Sequence, residues 1–265
     1  MRDLRPTVAD LLAIKGKRQL SMLRVETLEE AEAAQKAGID LLSVPPGLLS
    51  PAFREAVPTC FTFPGLEYGD YVSAEEYLRA AFTALRAGGD AVWCAASLGI
   101  IRRLREEGVP VCGHVGLIPD RRTWTGGFKA VGRTFETALL VWRQTKALEE
   151  AGAFSSEIEV VPSDVAGAIS KRTSMFMISM GSGAGCDAQY LFATDVLGTN
   201  RGHVPRHSKV YRNFAAEYDR LQEERIAAFS ELARDIGSGT YPELTHQVGI
   251  PKDELEQFLR AIQTE

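Results

Sequence analysis

Two stretches of this chain carry residue types suited to proton transfer. The first is "VPVCGHVGLIPD" from Val109 to Asp120, where a β-branched run ends on His114 before Gly116 and Pro119 open a loop. A histidine there can be packed into the core with both ring nitrogens satisfied, or it can face a ligand. The second is "EIEVVP", an apolar strand pattern that carries Glu159 near its end. A buried glutamate costs several kcal/mol unless it is paired or protonated. A salt bridge to Arg or Lys would explain it structurally; a general base with a pKa set by its surroundings would explain it functionally. Two weaker signals accompany these. "GSGAG" (Gly181–Gly185) could cradle a phosphate through backbone N–H groups, although one glycine-rich turn is slight evidence. His203 and His207 stand four apart, a metal-binding spacing on a helix, but Pro205 between them breaks that helix and favours a structural use.

The elements that must position these residues alternate along the chain. Thr27 to Glu30 and Ser73 to Glu76 read as capping boxes that open helices closing at Gly38 and at Gly88-Gly89. Between such helices lie eight strand candidates, at 19–25, 40–44, 60–63, 91–95, 110–115, 157–161, 175–180 and 190–194. Most are apolar on both faces, as a parallel sheet covered by helices requires. The pattern predicts a (β/α)8 TIM barrel, with a doubly wound open sheet as the alternative. A single domain over 1–265 is expected, its 206–265 part a helical extension that packs on the barrel or on a neighbouring subunit. In such barrels active sites lie at the C-terminal ends of strands. The polar residues placed there are Arg24, Glu26, Ser43, Glu67, Ser97, His114, Glu159 and Ser182.

Bulk properties narrow the partners. A formal net charge of −5, with Lys and Arg scattered, argues against nucleic acid or an anionic membrane surface. No run of apolar residues is long enough for a membrane helix, and the charged opening "MRDLRPTVADLLAIKGKRQL" is not expected to be a signal peptide. Cys60, Cys94, Cys112 and Cys186 form no CxxC pair and read as buried reduced thiols of a cytoplasmic protein. A small-molecule substrate is the expected partner.

At the level of whole phrases the chain resembles ketopantoate hydroxymethyltransferases, barrels of the phosphoenolpyruvate mutase/isocitrate lyase superfamily. The phrases are "VPVCGHVGLIPD", "GGFKAVGR", "ALEEAGA", "EVVPSDVAGAIS", "GSGAGCDAQYLFATDVLG" and "GHVPRHSKVYRNF", spread from about Ala37 to Phe214 in the family's order. The resemblance places His114 on the substrate-contacting histidine and Glu159 on the catalytic glutamate. It implies transfer of a hydroxymethyl group from methylenetetrahydrofolate to a 2-oxo acid, with magnesium on the substrate acidifying the neighbouring C–H. It also implies a homo-oligomer, expected to be at least a dimer.

The sequence departs from that pattern where charge is concerned. The resemblance puts the family's metal-binding aspartates at Pro46 and Gly65, and its Lys-x-Glu at Trp93-Cys94-Ala95. Neither Pro nor Gly can coordinate magnesium, and Glu67 alone offers one carboxylate, so Mg2+ is not expected. Trp93 would give the pocket an aromatic face. The reading favoured here is a diverged enzyme making or breaking carbon–carbon bonds on a 2-oxo acid or related carbonyl compound, with Glu159 as base and His114 as hydrogen-bond donor. Arg24, Ser43, Glu67, Trp93, Ser97 and Ser182 would line the substrate site. The alternatives are a non-catalytic small-molecule-binding or partner protein, and an authentic pantothenate-pathway enzyme with a relocated metal site.

Overall fold

The computed structural model describes Arg5 to Gln263; Met1–Leu4, Thr264 and Glu265 lie outside the described residues. The chain divides into two compact units, Met1–Arg212 and Asn213–Glu265. The first contains α1 (Val8–Ile14), β1 (Leu20–Arg24), α2 (Leu28–Lys36), β2 (Leu41–Val44), α3 (Pro51–Ala56) and β3 (Phe61–Leu66). It continues through α4 (Ala74–Arg86), β4 (Val92–Cys94), α5 (Leu98–Glu106), β5 (Val111–Gly116), α6 (Arg122–Thr125) and α7 (Phe135–Glu150). Last come β6 (Ser155–Glu159), α8 (Ser163–Ser170), β7 (Phe176–Met180), β8 (Ala188–Phe192) and α9 (Ala193–Val196). The second unit holds α10 (Phe214–Ser238) and α11 (Lys252–Ile262).

The strands close in chain order, each parallel to the next, and β8 returns to β1. This is the expected (β/α)8 barrel. Alternation along each strand sorts side chains into two cores. Met22, Leu41, Phe61, Phe63, Cys112, Phe176 and Ile178 pack in an inner cluster, which Leu11 of α1 joins. Leu42, Val44, Val92, Val111, Val115 and Ile158 instead meet helix residues such as Phe53, Ile101, Leu104 and Val141 in an outer cluster. Full burial of each such side chain contributes about 1.5–3 kcal/mol. All four cysteines are free and buried.

Four expectations need correction. The third strand runs on through Pro64 and Gly65 to Leu66, because Val44 pairs with Pro64 and Trp93 with Gly65; residues typical of turns are carried by neighbours on both sides. The sixth and the eighth each lie two residues earlier than expected. Val160 takes φ 48°, rare for a β-branched residue, and ends β6 directly after Glu159. Helix α10 begins only at Phe214; the stretch from Arg206 to Asn213 is irregular, so the expected helical extension starts late.

Candidate active site

Glu157 and Glu159 are two apart on β6, so one strand face carries both carboxylates into the barrel, where they are 3% and 7% exposed. Parallel register sets His114 of β5 beside Glu157, and Gly116 beside Glu159. The ring of His114 therefore lies between the two acids. Its Nδ1 is 3.2 Å from Glu157 Oε2 and its Nε2 is 3.2 Å from Glu159 Oε2. Nε2 also donates to the carbonyl oxygen of Leu117 at 2.8 Å. The carboxylate contacts are ion pairs, Nδ1 making no hydrogen bond of ordinary geometry. Burial works against charge on this ring, but Glu157 and Glu159 outweigh it and hold the His114 pKa at about 10. Burial likewise pushes the Glu157 carboxyl upward, against the pull of the imidazole. Trp93 of β4 meets the His114 ring edge-on at 5.9 Å between centroids. Its indole Nε1 is buried without a regular hydrogen bond.

A second group sits on β1, β2 and β3. Arg24 ends β1; its Nε donates to Glu26 Oε1 at 2.6 Å, and its Nη1 lies 3.4 Å from Ser43 Oγ and 3.5 Å from Glu67 Oε1. Tyr190 of β8 links the groups: it is buried and its phenol feels Ser43, Arg24 and Glu157. Burial, reinforced by the Glu157 charge, holds its phenol well above the ordinary value.

The expected residues thus separate. Trp93, His114 and Glu159 converge, and Arg24, Ser43 and Glu67 form the neighbouring group. Ser97 caps α5 on the surface and shares a cavity of about 310 Å3 with His114, Arg121 and Gln144. Ser182 does not face this cluster through a free hydroxyl. Its Oγ donates to Ile158 O at 2.8 Å and accepts from Val161 N at 2.9 Å, stitching the ends of β6 and β7. The glycine loop around it is equally committed, since a Cβ on Gly183 would lie 2.5 Å from Ser163 Cβ. Sequence reasoning passed over Glu157 and Tyr190. The Glu-x-Glu alternation was the available signal for Glu157; Tyr190 had only its place in a strand.

The residues at the positions implied for magnesium do not fit that ion. Pro46 opens a 3-10 turn and Gly65 lies within β3, and neither side chain has an oxygen. The space a Gly65 Cβ would enter holds Glu67 Oε1 at 2.7 Å and Arg24 Nη1 at 3.5 Å. A guanidinium there repels a dication and already pairs with Glu67, the carboxylate beside that space. Among the described residues, no three His, Cys, Asp or Glu side chains are grouped to hold a metal.

A closed parallel barrel with an acid–imidazole–acid cluster inside it defines a barrel enzyme. The same fold occurs in 2,3-dimethylmalate lyase, a PEP mutase/isocitrate lyase superfamily member (TM-score 0.51, 12% identity, 98% of this chain and 96% of that one). It also occurs in oxaloacetate acetylhydrolase (TM-score 0.55, 11% identity, 89% and 98%). The family model for ketopantoate hydroxymethyltransferase matches residues 49–244. Relatives named 3-methyl-2-oxobutanoate hydroxymethyltransferase include one from Pyrococcus abyssi, 31% identical over 93% of this chain and 92% of its own length. Another, from Nitratidesulfovibrio vulgaris, is 32% identical over 98% and 91%. The chain belongs to the ketopantoate hydroxymethyltransferase family and is an enzyme of the transferase kind.

Proposed function

We propose that this enzyme makes or breaks a carbon–carbon bond in an aldol-type reaction on a 2-oxo acid or related carbonyl compound, with hydroxymethyl transfer as the leading case. The observation that carries this reading is a buried carboxylate, Glu159, held against the His114 ring at 3.2 Å inside a family barrel. Glu159 takes a proton from the carbon beside the substrate carbonyl, and the resulting enolate carbon attacks the one-carbon donor. Methylenetetrahydrofolate is that donor in this reading: it gives up its one-carbon unit, water supplies the oxygen of the new hydroxyl, and tetrahydrofolate leaves.

His114 serves as the hydrogen-bond donor to substrate. Its Nε2–H is shared by Glu159 and Leu117 O, so a substrate oxygen must replace one of these partners. Arg24, with Ser43, meets the substrate carboxylate from the other group, and Trp93 gives the pocket an apolar wall. Glu67 orients Arg24. Ser97 borders the cavity beside His114. No helix among the described residues is long and apolar enough to cross a membrane. A cytoplasmic homo-oligomer completes the reading; α10 and α11 bury none of their own residues and expose Phe229, Ile236 and Phe258.

Two measurements test this. In D2O with 3-methyl-2-oxobutanoate, the enzyme should exchange the C–H next to the carbonyl, seen by proton NMR. With methylenetetrahydrofolate added, mass spectrometry should show a product one CH2O unit heavier. Absence of exchange across a panel of 2-oxo acids and aldehydes would remove the base role of Glu159. Exchange without the heavier product would keep the enolising step and reject hydroxymethyl transfer.

A further inference from the structure

The two glutamates on β6 meet His114 differently. Glu159 shares Nε2 with Leu117 O, whereas Glu157 faces Nδ1 alone. Because a carbonyl oxygen only accepts, the 2.8 Å contact to Leu117 fixes a proton on Nε2. A neutral ring would then leave Nδ1 an unprotonated acceptor only 3.2 Å from Glu157 Oε2, two buried acceptors in direct contact. A proton must therefore lie on Nδ1 or on Glu157. The ring lies 3.2 Å from a carboxylate at each nitrogen, so a proton on it serves both acids where one on Glu157 would serve neither Glu159 nor Nε2, and the ring is where it is placed.

We propose that Glu157 is a positioning residue that keeps His114 doubly protonated through the neutral pH range, so that a standing imidazolium, and not a neutral ring, faces the base Glu159. The proposal rests on Glu159 being that base, and it acts through charge alone, with no step in which Glu157 touches substrate. The other groups around the ring leave this balance undisturbed. Trp93 from β4 does not titrate. Cys112 from β5 and Tyr190 from β8 are buried and held neutral well above the neutral range. Arg121, a cation, lines the same cavity as the ring and donates to Ala95 O, and no ion pair among the described residues joins it to either glutamate. Three charges are in direct contact: one imidazolium between two carboxylates. With Glu157 gone, His114 keeps one anionic partner of two, and its proton is lost at lower pH. Glu159 then faces a neutral ring in place of a cation.

The direct test is nitrogen-15 NMR of the His114 ring, assigned by comparison with His114→Gln, followed from about pH 5 to 9. Wild-type enzyme should show both ring nitrogens protonated throughout. Glu157→Gln should bring the titration midpoint into roughly the pH 6–8 range. The alkaline limb of substrate C–H exchange should move down with it, with kcat affected more than KM and the loss roughly tenfold or more at the alkaline end. Glu157→Val is the second variant and should behave alike. A neutral His114 in wild-type enzyme at pH 7 overturns the proposal without any variant having to fold. So does a Glu157→Gln ring that titrates as in wild type. Because the ring signal is read without substrate, its outcome stands apart from the exchange assay that judges Glu159.

Discussion

Replacing Gly116 by alanine adds one methyl group at the point where β5 meets the end of β6. Gly116 has φ +86°, and its Cβ would stand 2.4 Å from Glu159 O and 2.7 Å from Val161 Cγ2. Backbone in that region costs an L-residue about 1–2 kcal/mol. The clash is with a carbonyl oxygen that accepts from Leu117 N at 2.9 Å, so relief means stretching this bond, worth about 1 kcal/mol. A further increment comes from Val161, which is 2% exposed and has little room to yield. The total is about 2–4 kcal/mol, and at about 2–4 °C per kcal/mol for a unit of this size the melting temperature should fall by roughly 5–15 °C. Because the shifted atom is Glu159's own carbonyl, surviving protein should also lose about a hundredfold in C–H exchange, the usual cost of misplacing a reacting group by about 1 Å. Thermal denaturation by circular dichroism and the exchange assay read the two effects separately. An alanine variant within about 0.5 kcal/mol of wild type and fully active would refute the close-packed link between Gly116 and Glu159.

Glu159→Gln should fold normally and lower exchange by roughly 10²–10⁴-fold, since its amide oxygen can still accept from His114 but cannot take a proton; wild-type rates would count decisively against a base. Pro46→Asp with Gly65→Asp should raise Mg2+ affinity, measured by calorimetry, only if the new carboxylates prevail over Arg24, whose Nη1 lies 3.5 Å from the new Cβ at position 65. Adding Arg24→Met should raise it further; no Mg2+ binding in the triple variant would show that the backbone itself has left the metal-binding path. Activity of the unaltered enzyme should survive EDTA, and loss restored by Mg2+ would contradict the misfit of this donor set. Stability should also depend on pH. With a folded pKa of about 10 against about 6.5 unfolded, His114 contributes fully below about pH 6.5 and loses its contribution as pH rises toward 10. Glu157, also raised, acts in the same direction. Urea unfolding should therefore show a steeper alkaline decline in wild type than in His114→Gln, and equal slopes would dismiss the linkage.

The alternation of capped helices and apolar strands determined a helix-covered parallel sheet from sequence alone, because a strand apolar on both faces must be covered on both, and the count of eight favoured the barrel over the open sheet. Ser73 to Glu76 shows how local this information is: both reciprocal cap bonds form as the pattern implies. Glu159 and His114 were legible as well, through their places at strand ends and through family phrases. Boundaries at Pro64-Gly65 and Val160 were not, since their backbone conformations are imposed by neighbouring strands and by packing, against local preference. Tertiary structure alone decided the charge relations. Register in a parallel barrel pairs His114 with Glu157, 43 positions away, and sets Arg24 beside Glu67 and the space next to Gly65. No periodicity in one strand encodes which residue of the next will stand opposite it. That register, and the exclusion of water it brings, turns a glutamate two residues before the expected base into the partner that sets the charge of the histidine.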